Sequence, residues 1–184
     1  KEIPLERKKV LVASMQIDRP PWGIEFHINF LNNLLDCIEK NKDVQFVIKE
    51  KKAELSEIPK DLVNRLIETP NCIVIRSRSP KFQTENKFSD LIKWTDVLIS
   101  QATNSMTILE ATKHNKMVIA YDLLGNSSLW KKQNSEIIAG CDLAKLVDQA
   151  LYECPVNSTS ILRDDMRLDA KANFCKVITD AIKR

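Results

Sequence analysis

Small hydroxyl and amide side chains crowd the stretch from Ser100 to Thr107, and a carboxylate, Glu110, follows three residues later. The apolar run 96–100 reads as a strand that turns through Gln101, Ala102, Thr103 and Asn104 into a helix starting near Ser105. Ser, Thr and Asn at such a turn can cap the helix and leave its first amides facing solvent. Free amides and the helix dipole together attract an anion. Glu110 falls on the first or second turn of that helix, within reach of sugar hydroxyls. Phosphate and ribose contacts spaced in this way point to a nucleotide-type ligand. The same pattern also describes an ordinary capping box, and both readings use the same amides.

The elements that must hold this turn alternate along the chain. Apolar runs at 10–14, 44–49, 72–76, 96–100, 117–121 and 136–140 read as strands. Helical periodicity fits 24–41, with Leu31, Leu34, Leu35 and Ile38 on one face, and 61–68, bracketed by Pro59 and Pro70. Further helices are expected at 87–94, 105–114, 142–153 and 164–183. Strands that are apolar throughout, each followed by a helix, belong to a parallel sheet covered on both faces. The expectation is an α/β domain, a doubly wound parallel six-stranded sheet, whose ligands sit beyond the carboxyl ends of the strands. Only three glycines occur, so a GxGxxG fingerprint and a Walker phosphate loop are both excluded.

A length of 184 residues suits one domain. The chain opens on Lys1 rather than Met, and 1–9 reads as a linker, so a piece of a longer protein is expected. No apolar run approaches the roughly 20 residues of a membrane span, and the charged start does not read as a signal peptide. A net charge of +3, scattered along the chain, gives no nucleic-acid footprint. Five cysteines without CxxC spacing read as free thiols of a reducing cytosol. Two distant histidines give no metal site. Trp22, Trp94 and Trp130 read as packing anchors, with Trp22, in a proline-rich loop, the best candidate for stacking.

Three runs carry a family resemblance: 88–100, then Thr103 to Ala111, then Asn115-Lys116-Met117-Val118-Ile119-Ala120-Tyr121-Asp122. Together they resemble the donor-binding, C-terminal half of GT-B glycosyltransferases, and more narrowly the transferases of bacterial capsule and surface-polysaccharide biosynthesis. The loop Pro20-Pro21-Trp22-Gly23-Ile24-Glu25-Phe26-His27 is similar to the one that faces the interdomain cleft, and Phe46-Val47-Ile48-Lys49 to a strand-and-lysine element of that group. Two departures stand out. The usual His-Pro after the lysine is Glu50-Lys51-Lys52, and the usual Gly-Lys-Pro is Asn115-Lys116-Met117.

The resemblance implies a Rossmann-like half of a GT-B fold that binds a nucleoside-diphosphate sugar, UDP type favoured, with no other cofactor. Its partner would be an N-terminal acceptor-binding domain, and the isolated half would be inactive. The site would comprise Ser100, Thr103, Asn104, Ser105 and Thr107 at the diphosphate, Lys49 pairing with phosphate as a point charge, and Glu110 at the ribose. Arg76 and Arg78 would stand near the base, and Asp122 by a sugar hydroxyl or a loop. His27 and Glu25, near the cleft, are the catalytic candidates. Residues 164–184 would be a closing helix that packs across the domain junction. The whole protein would be cytoplasmic, with peripheral association at the inner membrane face. Two other classes stay open. A sugar-nucleotide epimerase shares the fold but wants a Gly-rich turn and paired glutamates, which Asn104-Ser105-Met106-Thr107 does not supply. A non-catalytic nucleotide-binding or assembly module is the third.

Overall fold

The structure, a computed structural model, describes residues 7–13, 23–50, 54–76, 87–101, 106–122 and 137–153. Six strands form one sheet: β1 (Lys9–Ala13), β2 (Gln45–Lys49), β3 (Cys72–Ile75), β4 (Val97–Gln101), β5 (Met117–Tyr121) and β6 (Ile137–Gly140). Among the described residues five α-helices accompany them: α1 (Ile24–Lys40), α2 (Lys60–Glu68), α3 (Phe88–Trp94), α4 (Met106–Lys113) and α5 (Leu143–Asp148).

The strand order is β3-β2-β1-β4-β5-β6, and every pairing is parallel. The chain winds outward from β1 in one direction and then from β4 in the other. The β1–β4 boundary is therefore the topological switch point, beyond whose strand ends sheets of this kind bind their ligands.

Alternation along each strand divides the core into two layers. Val10, Val12, Phe46, Ile48, Val97, Ile99, Met117, Ile119 and Tyr121 face α1, α2 and α5. Leu11, Ala13, Val47, Leu98, Val118 and Ala120 face α3 and α4 through Ile92, Ile108 and Ala111. Both faces of the central strands are covered, which is why those strands are apolar at every position.

Buried polar side chains set the connections. Asn71 Nδ2 donates toward the carbonyls of Ile38, Asn41 and Val44 at 2.9–3.1 Å, which latches the α1–β2 turn to the start of β3. Helix α4 ends in a left-handed residue, Asn115, with φ 54°. The Lys116 amide reaches back to Ala111 O and the Asn115 amide to Thr112 O, the bond pair of a Schellman stop. Asn thus fills a position that favours glycine, and Asn115 is the replacement noted in the sequence.

Element boundaries agree with the sequence reading to within one or two residues, except at the end of the described chain. The helix expected over 142–153 is α-helical only to Asp148 and widens into a π-turn, Gln149–Glu153. The wider turn buries Ala150 and lets the Tyr152 hydroxyl donate to Asp43 at 3.2 Å. A 3-10 turn, Glu54–Ser56, was not expected and seats Leu55 in the core. The helix expected over 164–183 lies outside the described residues, as do Trp22 and Trp130. Trp94 is half-buried, with the Lys9 ammonium 5.3 Å from its ring centroid.

Candidate functional site

Parallel strands bring the ends of β2, β3, β4 and β5 to one edge of the sheet, and nearly every described candidate residue stands on that edge. Lys49 closes β2, opposite Ala13 on one side and Ile75 on the other. Ser100 lies at the end of β4, opposite Ala120. Asp122 follows β5, is 8% exposed, and donates its backbone amide to Gly140 O at 2.9 Å. Arg76 follows β3 directly.

Side-chain alternation splits these residues between the two layers. Lys49 and Ser100 are in phase with Val47 and Leu98 and so point to the α3–α4 side. Glu50 is in phase with Phe46 and Ile48 and points to the α1 side.

On the α4 side, the β4–α4 turn is closed by side chains. The Ser100 hydroxyl, 3% exposed, lies 3.1 Å from the Thr107 hydroxyl on the first turn of α4. This contact draws the amino end of α4 against the end of the strand. Glu110 is one turn farther along the same flank of α4, half-buried and without a hydrogen bond among the described residues. Thr103, Asn104 and Ser105, expected between the two hydroxyls, lie outside the described residues, as does Arg78.

Strands stand about 4.8 Å apart and residues rise about 3.3 Å, so Asp122, one strand over and two residues past the partner of Ser100, is about 8 Å from Ser100, Lys49 about 10 Å and Arg76 about 14 Å. A ligand centred on the β4–α4 turn, at the switch point, is thus flanked by Asp122 on one side and Lys49 on the other. Arg76 is reached only by a part of the ligand that extends toward the β3 edge.

The α1 side differs in character. Gly23 is the N-cap of α1 and brings no side-chain cap. Glu25 is exposed on the first turn, whereas His27 is 1% exposed and buried against Phe30. Neither ring nitrogen of His27 has a hydrogen-bond partner among the described residues. Burial pushes its pKa down to about 4, opposed by the nearby Glu50 carboxylate. His27 is therefore neutral at physiological pH and is shut off from solvent.

Glu50 belongs to this group although the sequence reading treated it only as a departure from a motif. It is 1% exposed. Its Oε1 accepts the Leu55 amide at 2.8 Å, and its Oε2 lies 3.9 Å from Arg76 Nε. The signal was present: Glu50 continues the buried phase of Phe46 and Ile48, and the register that sets Lys49 beside Ile75 places Glu50 beside Arg76.

Among the described residues no group of three or more His, Cys, Asp or Glu is placed to hold a metal ion, and no helix is long and apolar enough to cross a membrane. Cys37 and Cys72 are buried free thiols and Cys141 an exposed one. Burial, the largest cause, pushes the Cys37 thiol up to about 12, leaving it protonated and inert.

No protein-family model and no curated sequence matches the chain. Among solved structures, it is similar to the C-terminal domain of the glycosyl transferase group 1 family protein LpcC from Francisella tularensis. That match has a TM-score of 0.51 at 13% identity and covers 77% of this chain and 74% of that one. A second match is KpsC of Thermosulfurimonas dismutans, a beta Kdo 2,4 transferase, with a TM-score of 0.40 at 18% identity. It covers 65% of this chain, which spans about a third (35%) of that protein. The fold is thus a Rossmann-like α/β fold similar to that glycosyl transferase C-terminal domain, as the sequence resemblance implied.

Proposed function

We propose that this chain is the donor-binding half of a glycosyltransferase of surface-polysaccharide biosynthesis, with a nucleoside-diphosphate sugar, UDP type favoured, as its ligand. The observation that carries the reading is the β4–α4 turn at the switch point. There Ser100 and Thr107 hold the amino end of a helix against the ligand edge of the sheet. The diphosphate would lie against the first amides of α4, with Lys49 as the nearest described cation along the edge. Glu110, one turn on, would accept from the ribose hydroxyls. Neutral donors and a dipole suit a diphosphate that must be released after each transfer.

The acceptor site would belong to an N-terminal domain, whose apposition to this edge would complete the cleft. Catalysis by proximity needs both substrates held in register, so this half binds donor without turning it over. His27 is buried and neutral among the described residues, which leaves Glu25, exposed on the first turn of α1, as the described candidate for the base. The whole enzyme would work on the cytoplasmic side of the inner membrane.

A thermal-shift screen against UDP-, CMP-, GDP- and ADP-sugars tests the reading. A ligand of the folded state raises the melting temperature by mass action, and the UDP-sugars are expected to do so. If none of the four classes shifts the melting temperature at millimolar concentration, the donor-binding reading is withdrawn in favour of an assembly module.

A further inference from the structure

The residue that departs from the family pattern after Lys49 has a place of its own at the ligand edge. Glu50 donates its backbone amide to Ile75 O at 3.0 Å, which carries the β2–β3 pairing one rung past Lys49 and Ile75. Arg76 follows Ile75, so Glu50 and Arg76 become cross-strand neighbours where the two strands end. Glu50 continues the phase of Phe46 and Ile48, and Arg76 that of Cys72 and Val74, so both stand on the α1–α2 face. The Glu50 side chain is fully buried, and its Oε2 lies 3.9 Å from Arg76 Nε. We propose that Glu50 is a positioning residue of the donor site: it holds the Arg76 guanidinium so that its terminal N–H groups meet the carbonyl edge of the donor's nucleobase. The inference rests on the donor-binding reading and adds to it what the β3 end of the edge recognises.

The carboxylate is itself anchored. Its Oε1 accepts the Leu55 amide at 2.8 Å, and the 3-10 turn Glu54–Ser56 seats Leu55 in the core. Glu50 therefore does not depend on Arg76 for its place, which is what a positioning group requires. A buried carboxylate in turn favours a cation at its side. The guanidinium is held at one end only. Its Nε is sealed from solvent beside Glu50, whereas the side chain as a whole keeps 23% exposure. The terminal amino groups are not sealed with Nε, and no hydrogen bond of theirs occurs among the described residues. They are the free end of the fork.

The ion pair carries no net charge, so Arg76 offers direction rather than attraction. An unbalanced cation would serve any phosphate. A guanidinium whose charge is balanced by a neighbouring carboxylate serves as a rigid planar donor, and the carbonyl oxygens of a uracil ring lie in one plane to receive it. Lys49, one residue earlier than Glu50, points to the opposite face, toward the α4 flank. Phosphate and base are thus met from different sides of the strand ends.

Calorimetric titration with UDP and with inorganic pyrophosphate separates these roles. Arg76→Gln and Arg76→Lys alter a partly exposed side chain. Both are expected to weaken UDP by roughly 5–20-fold and to leave pyrophosphate within about twofold, since lysine keeps the charge but not the fork. Glu50→Gln keeps an acceptor for the Leu55 amide and is expected to weaken UDP as well, although it leaves Arg76 with an unbalanced positive charge. In the double variant Glu50→Gln with Arg76→Gln, UDP is expected to bind no more weakly than to Arg76→Gln alone, because Glu50 acts through Arg76. A folded Glu50→Gln domain that binds UDP as tightly as the wild type, or more tightly, overturns the proposal. So does a double variant whose loss is the product of the two single losses. Wild-type affinity for UDP in Arg76→Lys overturns it without recourse to Glu50→Gln, should that variant not fold. A wild type that binds UDP but is indifferent to Arg76 leaves the donor-binding reading standing without this inference, whereas a wild type that binds no nucleotide removes both.

Discussion

Acid should destabilise this domain through one residue. His27 has a folded-state pKa of about 4 against 6.5 in the unfolded chain. As pH falls below 6.5, the unfolded chain takes up a proton that the folded protein refuses until about pH 4. Stability therefore falls with pH across that window, and the loss is complete below it. The full penalty is about 3 kcal/mol, and about 2 kcal/mol of it has developed at pH 5. For a domain of this size that corresponds to a drop in melting temperature of roughly 4–8 °C between pH 7 and pH 5. His27→Phe fits beside Phe30 and cannot titrate, so its melting temperature should lose that component of the pH dependence. Differential scanning calorimetry of both proteins at pH 5, 6 and 7 reads the difference. Equal pH slopes in the two proteins would refute the argument, as would a His27 pKa at or above 6.5 by NMR.

Glu110→Gln keeps the shape of a half-exposed residue and should weaken UDP binding by about 1–2 kcal/mol, roughly 5–30-fold, with no change in melting temperature. Calorimetric titration checks it, and a collapse in stability would make Glu110 a structural residue. Asn115→Gly should stabilise the domain by about 0.5–1 kcal/mol, because glycine adopts the left-handed stop of α4 without a Cβ penalty. Denaturant melts decide that sign. Asn71→Ala removes the donor shared by the Ile38, Asn41 and Val44 carbonyls, of which Asn41 O keeps the Val44 amide, and should cost about 1–3 kcal/mol in the same melts. Crystals soaked in UDP should place the diphosphate against the first turn of α4. Density at another strand end would remove the basis for the donor-site reading.

Much of the architecture was legible in the residues because its signals are local. Met117 to Tyr121 is apolar at every position because both faces of β5 are covered, and that run alone marks a central parallel strand. Leu31, Leu34, Leu35 and Ile38 mark the buried face of α1 by spacing alone. The strand–turn–helix that carries Ser100 and Thr107 was legible for the same reason, since capping chemistry is written within a few residues of the helix it serves. What tertiary structure alone decided was long-range: which strand lies beside which, and on which layer each side chain falls. The order β3-β2-β1-β4-β5-β6 placed Arg76 three strands from Ser100 and put Lys49 and Glu50, adjacent in sequence, on opposite faces. His27 read as a residue at the start of the first helix, near a cleft, whereas α1 turns it inward against Phe30. Those outcomes depend on strand pairing and on the two-residue period of the pleat. A one-residue change of register would exchange the faces of Lys49 and Glu50 without altering the sequence pattern from which the strand was read.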